Sequence, residues 1–111
     1  MSNSYKVIYS PLAQDDIRAI YTYIANELQA KQTARGQVDR IRNTVRKLNA
    51  MPERYSAVEW EPWASMGMRK VPVDNYIVFY LVDTVKLTVT VIRVLYNGRD
   101  IEGIIQKDTK P

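Results

Sequence analysis

Apolar positions along the chain follow helical spacing in the first half and strand alternation in the second. Tyr5 to Tyr9 is short, aromatic and β-branched, and it stops at Ser10-Pro11, a capping hydroxyl followed by proline at the first helical position. The segment after it carries Ala13, Ile17, Ile20, Ile24 and Leu28 at three- and four-residue intervals, which predicts an amphipathic helix with Asp15 and Asp16 in its first turn. Ala34, Val38, Ile41, Val45 and Leu48 repeat that spacing, so a second helix is predicted over Thr33–Met51, stopped by Pro52, and the two make a hairpin. From Met68 the period changes to two. Strands are predicted over Met68–Val73, Tyr76–Val82 and Leu87–Tyr96, separated by Asp74-Asn75 and Asp83-Thr84-Val85-Lys86 and closed by Asn97-Gly98. Residues 52–67, with Pro52, Pro62 and Gly67 around Trp60 and Trp63, suit a loop. Ile101, Ile104 and Ile105 suggest a short tail packing back, and Lys107–Pro111 should fray. The expectation is a single α+β domain over residues 1–111: an N-terminal strand, an antiparallel helical hairpin and a three-stranded antiparallel meander packed on the helices.

The middle strand departs from ordinary amphipathic patterning. Tyr76, Val78, Tyr80 and Val82 alternate with Ile77, Phe79 and Leu81, so both faces are apolar, whereas a helical hairpin can cover only one. Either a partner protein covers the other face, which makes Tyr76, Val78 and Tyr80 partner-binding residues, or the Trp60–Trp63 loop or the tail folds over it. On the second predicted helix Arg35, Asp39, Arg42 and Arg46 form a mostly basic stripe, with Arg40 and Lys47 nearby, and the ordinary reading of such a stripe is a solvated face.

Composition narrows the chemistry. Neither cysteine nor histidine occurs, which removes disulfides, thiol chemistry and the commonest general base. Without them only carboxylate and carbonyl ligands remain for a metal, which disfavours a zinc or haem site, so no metal and no cofactor is expected, and acid–base work must use Glu, Asp, Lys, Tyr or Arg. Sixteen Lys+Arg against 12 Asp+Glu give a formal charge of +4, which favours acidic proteins or nucleic acid as partners without choosing between them. No apolar run approaches the roughly 18 residues of a membrane span, and Met1–Tyr9 lacks the apolar stretch of a signal peptide, so a cytoplasmic protein without a membrane partner is expected.

Three stretches, in this order, are similar to the RelE/ParE superfamily of toxins from type II toxin–antitoxin systems. They are Ser10-Pro11-Leu12-Ala13-Gln14-Asp15-Asp16-Ile17, Asn75-Tyr76-Ile77-Val78-Phe79-Tyr80, and Val91-Ile92-Arg93-Val94-Leu95-Tyr96-Asn97-Gly98-Arg99-Asp100. The resemblance implies a growth-arresting toxin neutralised by a cognate antitoxin whose C-terminal segment wraps it.

Within that superfamily the RelE-like branch resembles ribosome-dependent mRNA endonucleases. These need a base for the ribose 2′-hydroxyl, cations for the phosphorane charge and an acid for the leaving oxygen. The Arg that usually follows the middle-strand Tyr in that branch is Ile77 here, and its C-terminal catalytic Tyr has no counterpart, since no Tyr or His follows Arg99. Under the RNase reading, Lys70, Arg93 and Arg99 are the candidate catalytic cations, Lys70 matching the branch's lysine by ungapped alignment from Tyr80. Glu59 or Glu61 would be the base, and Arg69, Tyr96 and Trp60 would meet RNA or another target. Arg93 has a competing role as the partner of a helix carboxylate. The ParE-like branch, similar to inhibitors of DNA gyrase, fits the Val-Phe-Tyr middle strand and the Ile-Arg-Val-Leu ending better. The expected target is therefore gyrase, with the ribosome and mRNA as the alternative and a non-toxic nucleic-acid-binding module as the third reading.

Overall fold

The computed structural model describes residues 4–109. Strand β1 (Lys6–Tyr9) leads into helix α1 (Pro11–Thr22), which continues through a π-helical turn over Tyr23–Glu27, and helix α2 (Lys31–Arg46) returns. Two short 3-10 turns, Lys47–Asn49 and Pro52–Arg54, lead to strands β2 (Ser56–Ala57), β3 (Arg69–Val73), β4 (Tyr76–Asp83) and β5 (Thr88–Tyr96), and helix α3 (Ile101–Asp108) follows. The sheet has five strands in the order β1-β5-β4-β3-β2, with β1 parallel to β5 and the other pairs antiparallel.

The predicted stripes are the faces that pack, except for Leu28, which lies past the helix end and is 57% exposed. Ala13 and Ile17 of α1 meet Ile41 and Val45 of α2 over Val71, Val78, Tyr80, Val89 and Val91 of the sheet, with Leu48 closing one end. Fully burying a side chain of this size contributes about 1.5–3 kcal/mol, so this layer dominates the stability. Ile20 lies only partly inside it. Ser10 caps α1: its hydroxyl oxygen accepts from the Ala13 amide at 3.1 Å and donates to the Ile92 carbonyl at 2.9 Å, tying the helix start to β5.

The second sheet face is covered by the chain itself. Trp63, Val58 and Met68 from the loop and Ile105 from α3 bury Phe79 and Leu95, with Trp60, Ile77, Ile92, Ile101 and Ile104 packed around them. Of the two covers left open by the apolar middle strand, the loop and tail are the ones present, and the partner is not needed. Val78 and Tyr80 lie wholly inside the helix-side core, and of the three residues expected to meet a partner only Tyr76 keeps some surface.

Other differences have local causes. α1 begins at Pro11, so Asp15 and Asp16 fall beyond its first turn and the helix dipole is not what they serve. α2 starts earlier and ends earlier than predicted, because the chain tightens into the 3-10 turn before Pro52. The fraying expected for Lys107–Pro111 lies partly outside the described residues. Lys107 and Asp108 belong to α3, and Thr109 is only 5% exposed.

Candidate functional site

A β-bulge decides where the expected cations point. Phe79 pairs with Arg93 and Tyr80 with Val91, so Ile92 has no opposite residue on β4. Uninterrupted strand alternation would put Arg93 on one face with Val89, Val91 and Leu95, but the bulge separates these residues. Val89 and Val91 sit in the helix-side core, and Leu95 sits in the second-face core.

Arg93 turns toward α1 and the end of α3. Its Nε and Nη2 donate to the two oxygens of Asp16 at 2.7 and 2.8 Å, and Nη1 donates to the Thr109 hydroxyl at 2.9 Å. Asp16 also accepts the Val94 amide at 2.9 Å, a group on the β5 edge that β1, ending at Tyr9, cannot reach. The forked hydrogen bonds to Asp16 hold the guanidinium's pKa above its ordinary value, against the burial that lowers it. At 7% exposure Arg93 is buried, and the pairing with a helix carboxylate offered as its competing role is the one present.

The remaining candidates are dispersed. Lys70 is exposed on β3, opposite Phe79 and therefore on the second face. Arg69 points to the other side, where Nη1 donates to the Tyr55 carbonyl at 2.6 Å. Arg99 is exposed in the turn after β5. Trp60 is half-buried, its ring tilted against Phe79 with centroids 6.2 Å apart. Tyr96 is 48% exposed and meets Tyr76 edge-on at 5.7 Å, its ring folded over Gly98, where a Cβ would lie 2.6 Å from the ring. Glu61 accepts from the Ser65 amide and hydroxyl at 2.9 and 2.7 Å, bonds that hold its carboxyl below the usual range. Among the described residues, no ion pair or hydrogen bond joins Lys70, Arg93, Arg99, Glu59 or Glu61 to one another. Nor is there a cluster of acidic residues able to hold a metal ion among those residues.

What is built is a groove between the helices, beside β1. It has a volume of about 410 Å³ and is lined by Tyr9, Gln14, Ile17, Arg18, Tyr21, Val38 and Arg42. The Arg42 guanidinium lies over the Tyr9 ring, 5.9 Å from its centroid, within cation–π range. Burial pushes the Tyr9 phenol up, partly offset by Arg42 and Arg46. Of the groove's lining residues Tyr21 is the exposed large apolar one. Sequence reading missed this groove because Tyr9 and Val38 were assigned to element interiors and Arg42 to a solvated face.

Residues 7–101 match the family described as the ParE toxin of type II toxin–antitoxin systems, parDE. No curated protein matches the sequence significantly. Among solved structures the fold is similar to a chain of the chromosomal ParDE system from P. aeruginosa, at 18% identity and a TM-score of 0.68, covering 84% of this chain and 96% of that one. It is also similar to a chain of the RelBE2 toxin–antitoxin complex from Mycobacterium tuberculosis (18% identity, TM-score 0.59, 87% and 95% covered). A chain of the archaeal RelE–RelB complex from Pyrococcus horikoshii OT3 gives 14% identity and a TM-score of 0.59, with 86% and 98% covered. With the match spanning most of the chain and the fold agreeing throughout, this protein belongs to the ParE toxin family of type II toxin–antitoxin systems, within the RelE/ParE superfamily.

Proposed function

We propose that this toxin arrests growth in the cytoplasm by binding its target, in the manner of ParE-like inhibitors of DNA gyrase, and not by cutting mRNA on the ribosome. The observation that carries the reading is the dispersal of the cations. RNA cleavage needs a base and charge-stabilising donors converging on one phosphate. Here Arg93 is locked to Asp16, while Lys70 and Arg99 stand on separate elements with no base bonded to either among the described residues. Recognition by binding needs no such convergence, and the exposed Lys70, Tyr96 and Arg99 remain available to a protein target.

A cognate antitoxin is the second partner, supported by the relatives having been solved as ParDE, RelBE and RelE–RelB complexes. The groove between α1 and α2, lined by Tyr9, Ile17, Tyr21 and Val38 beside Arg18 and Arg42, is the seat we assign to it. The test is to express the chain with and without its antitoxin while following DNA synthesis and mRNA integrity separately. Growth arrest should come with failing DNA synthesis and intact ribosome-bound mRNA, and Lys70→Ala and Arg99→Ala should both preserve it, since single rim charges shift affinity modestly. Codon-specific mRNA cuts that vanish in either variant would establish a ribosome-dependent RNase instead.

A further inference from the structure

Charge is segregated on this molecule more sharply than its net +4 suggests. From Lys31 to Lys47 the chain carries Lys31, Arg35, Arg40, Arg42, Arg46 and Lys47 against Asp39 alone, an excess larger than that of the whole protein. Four of these cations, Lys31, Arg35, Arg42 and Arg46, recur at four- and seven-residue spacing and so share one side of α2, all exposed. Arg40 lies off that line and is tied to Asp74 at 2.7 Å. None of the four has a carboxylate within ion-pairing distance among the described residues. At about 1.5 Å of rise per residue, Arg35, Arg42 and Arg46 span roughly 16 Å.

The composition of this face indicates what it meets. Protein-binding surfaces have an apolar or aromatic centre. The exposed large apolar residues here are Ile8, Leu12, Tyr21, Tyr23, Leu28, Met51, Met66, Val85 and Tyr96, and none comes from α2. Unpaired bases would call for aromatic platforms, which α2 also lacks. A row of exposed cations without carboxylate partners, on a helix that contributes no exposed apolar anchor and no aromatic ring of its own, matches a phosphate backbone. We propose that the outer side of α2 binds the backbone of duplex DNA without sequence preference, through Arg35, Arg42 and Arg46, with Lys31 extending the row and Asp39 weakening it. This contact is independent of which target the toxin arrests, although Arg42 also borders the groove assigned to the antitoxin.

The test is fluorescence anisotropy of the full chain with a labelled DNA duplex of arbitrary sequence, alongside an RNA duplex and polyglutamate. Three neutralised phosphates predict a log–log salt slope near −2.7, so raising salt from about 50 to about 200 mM should weaken binding roughly 40-fold. Replacing Arg35, Arg42 and Arg46 together by Gln should lower affinity at least about tenfold and flatten that slope. Replacing Arg54, Lys86 and Lys107 by Gln, the same change in net charge elsewhere, should do much less. Asp39→Asn should tighten binding about two- to threefold by removing the one repelling charge, and this arm decides the matter if the triple variant melts early. Equal losses in the two triple variants, no gain from Asp39→Asn, or tighter binding of polyglutamate or RNA than of DNA would each overturn the proposal.

Discussion

Replacing Asp16 by Asn keeps the shape of the side chain and an oxygen for the Val94 amide, but it leaves the Arg93 guanidinium without a counter-charge. Both side chains are largely withdrawn from water, at 9% and 11% exposure, so solvent cannot compensate. Removing one partner of such a pair costs about 3–5 kcal/mol, most of it the penalty of an uncompensated buried charge. A domain's whole stability is about 5–15 kcal/mol, so this is a large share. At about 4 °C per kcal/mol for a chain of this size, the melting temperature should fall by roughly 12–20 °C. Thermal circular dichroism measures it directly. Arg93→Lys should not escape the loss, because an ammonium cannot fork across both carboxylate oxygens and reach Thr109 as well. Combining Asp16→Leu with Arg93→Met removes both charges and should be less damaging than either single change summed with the other. A melt for Asp16→Asn within about 1 kcal/mol of the parent, or strictly additive single changes, would refute the account of this pair as the clamp between α1, β5 and the end of α3.

Two further outcomes follow from the core. Ile41 is fully buried and Ile20 only partly, so Ile41→Ala should cost about 2–5 kcal/mol by leaving a cavity and Ile20→Ala distinctly less; equal losses in urea titration would place the helix register wrongly. The Tyr80 hydroxyl donates to the Pro52 carbonyl at 2.6 Å, and burial holds its phenol pKa above the ordinary 10.0. The folded state therefore keeps a proton that the unfolded chain loses above about pH 10, so stability is complete below that pH and falls as pH rises past it. Tyr80→Phe should lower stability by about 1–3 kcal/mol at neutral pH through the orphaned carbonyl. It should also show a shallower alkaline decline than the parent, and an unchanged slope would contradict the assignment.

The candidate site was legible only in parts. The resemblance to RelE/ParE toxins rested on local runs such as Asn75–Tyr80 and Val91–Asp100, which sequence order preserves, and the family match over residues 7–101 agrees with it. The absence of His and Cys likewise held at the level of composition. The geometry of the cations was not legible. An inserted residue at Ile92 rotates everything beyond it by one strand position, and no alternation rule reveals a bulge among continuous β-branched residues.

By itself the sequence determined β1, α1, α2 and the three strands β3 to β5, and the packing faces of the helices, but not β2 or α3. Three- and four-residue apolar spacing forces one stripe inward, Ser10-Pro11 starts a helix, and two-residue alternation makes strands, all from contacts within a few residues. The tertiary structure decided the long-range choices. It brought β1 beside β5 in parallel, across most of the chain, and set Asp16 against Arg93. It also folded the Trp63 loop and α3 over the second sheet face. Those outcomes depend on which distant apolar surface is available and on buried charges finding partners. Such energies belong to the assembled core, so local spacing carries no record of them.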